Sequence, residues 1–467
     1  MARRTARPPR TGAFGTAINL GSITLCMIVR DEEAVLRRCL GSVRGIIDEV
    51  VIVDTGSKDG TLELARDLAP KTAPHGCVVT FDWSDDFAAA RNESLRYAHG
   101  EWLLILDADE WLVWEGLTAE DFRRGVFALH KRIAMISIPL VSLQEDGALP
   151  PFPAARILRN RPDLRYEGKL HESPLLLDVQ GDTIFAINRD DNIRIMHSGY
   201  TTAAVSAKRK RERNLGLARG LVRQGWADRP GMLVTAGGEM LRWVDMTDDP
   251  EGLRGEARAV LLRAVELFRV QAARNSKRGR ANRLRVSVGT VNRCVRLLYE
   301  HLGERNAALE LTGLFSAEDL DVWERDNANA ARRVGGQPCH LFDARLSWYF
   351  RGRCLLDVWD AGGGTAATLK EAESSFREAS RSQKGDVFPF DEDPWVRAES
   401  LYGLGAVRER LGDFEGAAEA FREALLDRNL ADHLRTMGHA HMLRCQDLVR
   451  DGILLGGAGG ALVLAGE

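Results

Sequence analysis

The chain has 467 residues and a net charge of -3 at neutral pH, with 45% hydrophobic and 28% charged residues. Its length predicts about two to four domains, and its balanced charge is not that of a dedicated nucleic-acid-binding protein. No apolar run reaches roughly 18 residues, so no membrane span is expected. Seven widely spaced cysteines without a CxxC pair favour reduced cytoplasmic thiols over disulfides or a zinc site.

The two ends of the chain are not expected to join the folded core. The first ten residues contain four arginines and no acid, and we predict a disordered basic tail over residues 1–21. A transit peptide is a less favoured interpretation, because the segment contains little serine. The apolar residues 452–464 are interrupted by glycines and are too short to form a membrane anchor.

Apolar strands alternate with amphipathic helices between residues 22 and 106. Strands are predicted at 23–29, 49–53, 77–81 and 102–106, and helices at 32–43, 61–68 and 87–98. This alternation predicts βαβ units and a mostly parallel sheet. Short β-rich pieces at 134–138, 155–158 and 193–196 predict a mixed extension of that sheet, so the first domain is placed at residues 22–204.

The remaining residues, 205–467, are predicted to form an all-α helical-repeat domain. Residues 398–430 carry alanine, glycine and large apolar residues at tetratricopeptide spacing, including Gly412, Ala417 and Phe421. A second copy around Trp348 to Ala379 has a longer turn, and residues 297–315 form a shorter fragment. Stacked helix pairs of this kind bind extended partners or form dimers, so this domain is the candidate surface for a homodimer.

Acidic residues follow three of the predicted strands. Asp107 and Asp109 end the strand 102–106, Asp54 ends the strand 49–53, and Asp31 follows the strand 23–29. The carboxyl ends of parallel strands meet at one edge of a sheet, where carboxylates one residue apart repel each other unless a divalent cation lies between them. The sequence therefore predicts a site for a cation and an anionic ligand at this edge.

Polar neighbours complete the predicted site. Ser57 or Asp59 is placed to cap the helix that begins near residue 61, and Glu32 suits the positive start of the helix 32–43. Arg91, followed by Asn92, lies on the helix after the third strand. A guanidinium group matches phosphate in a bidentate manner, so Arg91 is the expected basic partner of the anion.

Four motifs together resemble the family 2 glycosyltransferases of GT-A fold. They resemble most the bacterial subgroup that joins this domain to tetratricopeptide-like helices and includes the sublancin-type peptide S-glycosyltransferases. The resemblance covers about residues 22–215 and implies an α/β GT-A domain, Rossmann-like and mostly parallel, before the helical repeats. The motifs are Leu25-Cys-Met-Ile-Val-Arg-Asp-Glu-Glu33, Asp54-Thr-Gly-Ser-Lys-Asp-Gly-Thr61, Asp85-Asp-Phe-Ala-Ala-Ala-Arg-Asn92 and Leu106-Asp-Ala-Asp-Glu110.

The resemblance implies a role for each group in binding a nucleoside diphosphate sugar. Asp54 would face the base, Arg91 would approach the diphosphate, and Asp107-Ala-Asp109 would be the DxD element that binds Mn²⁺ or Mg²⁺. His197, at the end of the last strand, is a candidate third metal ligand, although a lone histidine more often satisfies a local hydrogen bond. The donor-binding positions that the resemblance implies are Val29, Asp31, Glu32, Asp54, Ser57, Asp59, Arg91, Asn92 and Asp107.

The sequence offers three candidates for the catalytic base, the group that takes a proton from the acceptor substrate. Tyr166-Glu-Gly-Lys-Leu-His-Glu172 resembles a segment of the same subgroup, and Glu172 is the preferred base, with His171 and Glu167 as competitors. No xED triplet of the commoner family type occurs here, and a charged surface turn explains these residues equally well.

These inferences predict a metal-dependent, inverting glycosyltransferase that moves a hexose from a nucleoside diphosphate sugar, UDP-linked by preference, to a peptide or protein. The alternatives are a small-molecule or cell-envelope acceptor, a nucleotidyltransferase, and a non-catalytic repeat scaffold. The acidic loop Arg30-Asp-Glu-Glu33 disfavours a nucleotidyltransferase, which usually has a glycine-rich basic loop there.

Overall fold

The structure is a computed structural model that describes residues 13–14, 21–129, 133–144, 147–148, 151–176, 184–187, 192–198, 207–223, 229–276, 288–314, 344–381 and 395–450. The described residues divide into two compact units, one up to Ala264 and one from Val265 onward. The C-terminal apolar segment and nearly all of the predicted basic tail lie outside the described residues. No helix among the described residues is long and apolar enough to cross a bilayer.

The first unit is an α/β structure, as predicted. Its strands and helices, in chain order, are β1 Ala13–Phe14, β2 Ile23–Val29, α1 Glu33–Ser42, β3 Glu49–Asp54, α2 Thr61–Thr72, β4 His75–Thr80, α3 Phe87–Tyr97, β5 Trp102–Ile105, β6 Glu110–Trp114, α4 Ala119–Ala128, β7 Ile133–Gln144, β8 Gly147–Ala148, β9 Phe152–Arg159, β10 Leu164–Glu167, β11 Ser173–Leu176, β12 Ile184–Ile187, β13 Ile193–His197, α5 Ala207–Arg223 and α6 Pro230–Arg242.

The main sheet has the order β1-β4-β3-β2-β5-β9-β7-β13-β6, and β8 and β12 pair with β7. Strands β4, β3, β2 and β5 are parallel to one another, whereas β1 runs antiparallel to β4 and β9 runs antiparallel to both β5 and β7. The predicted mostly parallel sheet with a mixed extension is therefore confirmed. Strands β10 and β11 form a separate antiparallel pair.

Both faces of the parallel strands are buried, because successive side chains of a strand point to opposite faces. Leu25 and Leu104 pack in one apolar cluster with Leu36 of α1. Their neighbours Cys26 and Leu103 pack in a second cluster, with α3. Helices thus cover the sheet on both sides, which explains why these strands are continuous apolar runs in the sequence.

Two parts of this unit differ from the sequence prediction. Ala13–Phe14, placed in the disordered tail, pair with β4 as an edge strand, since β4 otherwise presents unpaired backbone groups. The compact unit also continues past residue 204 to Ala264, so that α5 and α6 group with the sheet and not with the helical repeats.

The second unit is all α-helical in the described residues. A long helix, α7 Pro250–Ser276, begins in the first unit and ends in the second, and the following helices are α8 Val288–Arg296, α9 Arg305–Thr312, α10 Ala344–Asp360, α11 Ala366–Ser380, α12 Trp395–Leu411, α13 Phe414–Leu426 and α14 Asp432–Arg450. The predicted repeats at 398–430 and 348–379 correspond to the helix pairs α12–α13 and α10–α11.

Candidate active site

The loops after β2 and β3 are joined by hydrogen bonds at the carboxyl edge of the sheet. These strands end side by side, with Val29 opposite Asp54. The backbone N–H of Asp31 donates to Oγ of Ser57 over 3.1 Å, and the N–H of Lys58 donates to Oδ1 of Asp31 over 2.7 Å. Asp31 has a positive φ of 55°, which aims its carboxylate at the second loop. The two predicted donor loops therefore form one polar surface.

Asp54 is buried, with 2% of its surface exposed. Its Oδ1 accepts the N–H groups of Gly56 and Ser57 over 2.9 and 3.0 Å. Its Oδ2 has no hydrogen-bond partner among the described residues. A buried carboxylate oxygen without a partner is costly, and a ligand N–H would satisfy it.

Asp59 does not cap α2 in the predicted way. The N-cap residue is Gly60, and no side chain caps the helix there. Asp59 instead accepts the N–H of Thr61 over 3.0 Å and the N–H of Glu33 over 3.3 Å. It therefore helps to connect the two loops. Glu32 donates its N–H to Oγ1 of Thr61 over 2.7 Å, a further link between them.

Arg91 is a buried cation, 4% exposed, on α3. Its Nη2 pairs with Oδ1 of Asp107, and its Nε donates to Oε1 of Glu172 over 3.1 Å. Burial opposes its charge, but the carboxylates of Asp107 and Glu172 outweigh burial and raise the pKa of Arg91. Its Nη1 has no hydrogen-bond partner among the described residues. Arg91 thus connects the end of β5 with the turn after β10 and keeps one donor for a ligand.

A second arginine, Arg156 of β9, also lies at the end of β5. It lies 3.6 Å from Oδ2 of Asp107 and pairs with Oε1 of Glu110. Burial alone would raise the pKa of Asp107, but the charges of Arg91 and Arg156 lower it. Burial and the negative charge of Asp107 raise the pKa of Glu110 to about 7, against the opposing charge of Arg156.

Two of the three predicted metal ligands, Asp109 and His197, lie side by side. Strand β13 pairs with β6 so that His197 stands opposite Glu110, and Nε2 of His197 lies 3.2 Å from Oδ2 of Asp109. Nδ1 of His197 lies 3.2 Å from Oγ of Ser142 on β7, which fixes the ring. Burial lowers the pKa of His197, but its hydrogen bond to Asp109 outweighs burial and raises it.

A carboxylate oxygen and an imidazole nitrogen at this spacing fit a divalent cation, once the hydrogen bond between them is replaced by two metal bonds. Asp107 is turned instead to the two arginines. No group of three or more metal-ligating side chains is assembled within the described ranges. Asp109 and His197 would therefore supply two ligands to such a cation, and the substrate and water would supply the others.

Asn92 holds strand β10 through two hydrogen bonds to its backbone. Its Nδ2 donates to the carbonyl of Tyr166 over 2.9 Å, and its Oδ1 accepts the N–H of Tyr166 over 2.8 Å. This pairing mimics a strand partner and holds the turn after β10 against α3. Asn92 thus binds the backbone of β10.

Two of the three candidate bases, His171 and Glu172, lie in the turn after β10, and the third, Glu167, ends that strand. Glu172 accepts from Arg91, as described above, whereas Nε2 of His171 lies 2.7 Å from Oε2 of Glu239 on α6. Glu167, the other competitor, pairs with Arg165 and lies 3.5 Å from Arg229. The three predicted residues therefore have three different partners.

Sequence reasoning missed three of the charged residues described here: Glu110, Arg156 and Glu239. Each is a charge inside an otherwise apolar segment, namely the start of β6, the middle of β9 and the apolar part of α6. A charge on the inward face of an element needs a partner, so this interruption is the signal that could have identified them.

The fold and these side chains define an α/β enzyme domain with an anion site at the carboxyl edge of a parallel sheet. Residues 24–115 match the family model described as glycosyl transferase family 2. The chain therefore carries a family 2 glycosyltransferase domain, as the four motifs predicted. The match spans β2 to the residue after β6, and so includes both donor loops, Arg91, Asp107 and Asp109.

Two curated relatives resemble the N-terminal part of the chain. A TPR repeat-containing protein of Synechococcus elongatus is 37% identical over 184 residues, which are 39% of this chain and 43% of the relative. The SPbeta prophage-derived glycosyltransferase SunS of Bacillus subtilis is 25% identical over 205 residues, 43% of this chain and 45% of SunS. The chain thus covers less than half the length of each of these relatives.

Among solved structures, residues 1–349 of TarS from S. aureus in complex with UDP align with 79% of this chain and 95% of that chain. The sequence identity is 15% and the TM-score is 0.31. Because the TM-score is this low, the family assignment depends on the family model and on the sequence relatives.

Proposed function

We propose that the chain is a metal-dependent, inverting glycosyltransferase that transfers a hexose from a UDP-linked donor to a peptide or protein. One observation carries the proposal: Arg91, buried beside the DxD element, keeps a hydrogen-bond donor without a partner among the described residues. A buried guanidinium group with a spare donor favours an anion such as a diphosphate. The family 2 domain supports the assignment.

The nucleoside would bind across the two joined loops. Asp54 would accept an N–H of the base through its unpaired Oδ2. Uracil offers one ring N–H of this kind, which is why a uridine nucleotide is proposed. Val29, Asp31 and Glu32 would line the other side, and Ser57 and Asp59 would keep both loops in place through their hydrogen bonds.

The diphosphate would lie between Arg91 and the pair of Asp109 and His197. A divalent cation held by this pair would offset the charge that develops on the departing diphosphate. Asp107 is neutralised by its two arginines, so its part is to fix their positions at the end of β5. Inversion requires a base on the acceptor side, and the turn that carries His171 and Glu172 supplies both candidates.

The acceptor is proposed to be a peptide or protein because the sequence resembles peptide-modifying enzymes and the second unit consists of stacked helix pairs. Such pairs present concave surfaces that suit extended chains. The same helices are the proposed dimer surface. If mass spectrometry finds the sugar only on small molecules or cell-envelope precursors, the peptide assignment is contradicted while the donor assignment stands.

Replacing Asp109 tests the metal and donor assignment without knowledge of the acceptor. We expect Asp109→Ala to lower Mn²⁺-dependent hydrolysis of UDP-glucose by about 100-fold or more, since one of two protein ligands is lost. Release of UDP in the presence of Mn²⁺ or of a chelator is the measurement. The control is Asp67→Ala, which removes an exposed helix carboxylate paired with Lys71. Equal turnover by both variants would contradict the metal role.

A further inference from the structure

His171 and Glu239 form a pair in which the carboxylate fixes the imidazole. Nε2 of His171 lies 2.7 Å from Oε2 of Glu239, and Glu239 is 1% exposed. The other oxygen, Oε1, accepts from Nδ2 of Asn214 and from Nε1 of Trp243, each over 2.8 Å. His171 of the turn, Asn214 of α5 and Trp243, the residue after α6, therefore converge on one buried carboxyl group, whose position they define.

The hydrogen bonds around Glu239 keep it ionised and determine which nitrogen of a neutral His171 carries the proton. Burial alone would raise the pKa of Glu239, but the hydrogen bonds from His171, Asn214 and Trp243 lower it to about 2. Glu239 is thus a carboxylate near neutral pH and only accepts hydrogen bonds. Neutral His171 must then carry its proton on Nε2, which leaves the lone pair on Nδ1.

Nδ1 of His171 is available for a substrate. Within the part of the chain that the structure describes, no hydrogen bond reaches this atom, and the side chain is 36% exposed. His171 has a positive φ of 52°, a conformation that a residue other than glycine rarely adopts. Strained positions of this kind cluster at functional sites.

The pair also lies next to the proposed donor site. His171 is followed directly by Glu172, whose Oε1 accepts from Nε of Arg91 over 3.1 Å. Arg91 in turn contacts Asp107 of the DxD element. Glu172 therefore holds the buried Arg91. Its neighbour His171 has a lone pair on Nδ1 that no described group uses.

We propose that His171 is the base that deprotonates the acceptor and that Glu239 is its positioning residue, an inference that rests on the proposed glycosyl transfer. The acceptor S–H or O–H gives its proton to Nδ1 of His171. The acceptor atom then forms the bond to the anomeric carbon, and the bond from that carbon to the diphosphate oxygen breaks. The electron pair of that bond leaves with the UDP, and Glu239 stabilises the imidazolium that forms.

The variant Glu239→Gln changes the tautomer with little change in shape. The amide oxygen of glutamine takes the place of Oε1 and accepts from Asn214 and Trp243. The amide NH₂ group then faces Nε2 of His171 and donates to it, which forces the ring proton onto Nδ1. A ring protonated on Nδ1 has no lone pair there for the acceptor proton, so the base is disabled while the packing is kept.

The test uses UDP-glucose and Mn²⁺, with water in place of the acceptor. We expect Glu239→Gln and His171→Ala each to lower kcat of hydrolysis by about 10²–10⁴-fold, the usual contribution of a general base. The KM for UDP-glucose should not change, because neither residue contacts the donor in this proposal. Nitrogen-15 NMR of labelled histidine should show the His171 proton on Nε2 in the wild type and on Nδ1 in Glu239→Gln.

Two control variants separate this role from a structural one. Glu49→Gln disrupts a second buried Glu–His pair, in which Oε1 of Glu49 lies 2.9 Å from Nδ1 of His99 at the opposite edge of the sheet. It should lower the melting temperature and leave kcat of the folded protein unchanged. Glu172→Gln should raise the KM for the donor more than it lowers kcat.

The outcomes distinguish the two proposals. A wild type that binds neither UDP nor UDP-glucose contradicts the proposed function, and the base assignment with it. A wild type that turns over the donor, combined with an unchanged kcat in Glu239→Gln, contradicts the base assignment alone. A loss of kcat in Glu172→Gln but not in His171→Ala would transfer the role to Glu172 and overturn the inference.

Discussion

Two arginines and two acidic residues, Asp107 and Glu110, form a charged network at the end of β5. Arg91 pairs with Asp107, and Arg156 lies between Asp107 and Glu110. Removing one member of a buried ion pair leaves its partner without compensation, which costs more than the pair contributes. The network therefore tolerates the loss of a single charge poorly.

We expect Arg91→Met to lower the free energy of unfolding by about 3 kcal/mol, because Asp107 and Glu172 lose their shared cation. UDP binding should also be lost. Arg96→Met is the matched control on the same helix: Arg96 pairs with Glu93 and is 41% exposed, so its removal should cost less than about 1 kcal/mol. Chemical denaturation and UDP calorimetry of both variants are the measurements. Equal stability of the two would contradict the ion-pair account.

Residues placed directly after strands were predictable from the sequence, whereas residues defined by their tertiary partners were not. Asp54 and Asp109 follow apolar runs, so their location at the sheet edge follows from the strand pattern alone. Glu239 lies 68 residues from its partner His171, and no local pattern relates the two. The Asp107–Arg156 contact likewise depends on β9 lying next to β5.

At the scale of the elements, small residues determine how closely the helices of the second unit pack. The ring of Phe376 on α11 is fully buried between glycines of two neighbouring helices. A Cβ atom added to Gly352 of α10 would lie 2.9 Å from this ring, and one added to Gly403 of α12 would lie 2.6 Å from it. Real Cβ contacts are longer, so either substitution forces the helices apart.

We therefore expect Gly403→Ala to destabilise the second unit by about 1–3 kcal/mol through overpacking. Gly220→Ala in α5 is the contrasting change, because its added Cβ would meet no described atom within 4 Å. Alanine there should stabilise the helix by about 0.5–1 kcal/mol. Thermal unfolding followed by circular dichroism compares the two. A gain in stability for Gly403→Ala would contradict the packing account.

The parallel strands and the helix pairs could be predicted from the sequence, because continuous apolar runs and helical spacing are local signals. Strand β6 was not predicted. It is stabilised by antiparallel pairing with β13, which begins 79 residues after the end of β6, at Ile193, and such pairing leaves no trace in the local sequence. The predicted repeat fragment at 297–315 holds a π-helical turn, Leu297–His301, followed by α9.

For the whole molecule, the first compact unit is larger than the domain that the motifs mark. The predicted boundary at residue 204 follows the last strand, but the unit continues to Ala264. Helices α5 and α6 supply Asn214 and Glu239, which hold His171. Composition changes where strands give way to helices, and this change does not coincide with the end of the compact unit.

The most direct test of the account is a crystal structure of the whole chain with UDP and Mn²⁺ at saturating concentrations. We predict the uracil ring against Asp54, the diphosphate within hydrogen-bond distance of Arg91, and one Mn²⁺ bound by Asp109 and His197. A nucleotide bound elsewhere on the molecule, or no nucleotide at the carboxyl edge of the sheet, would contradict it.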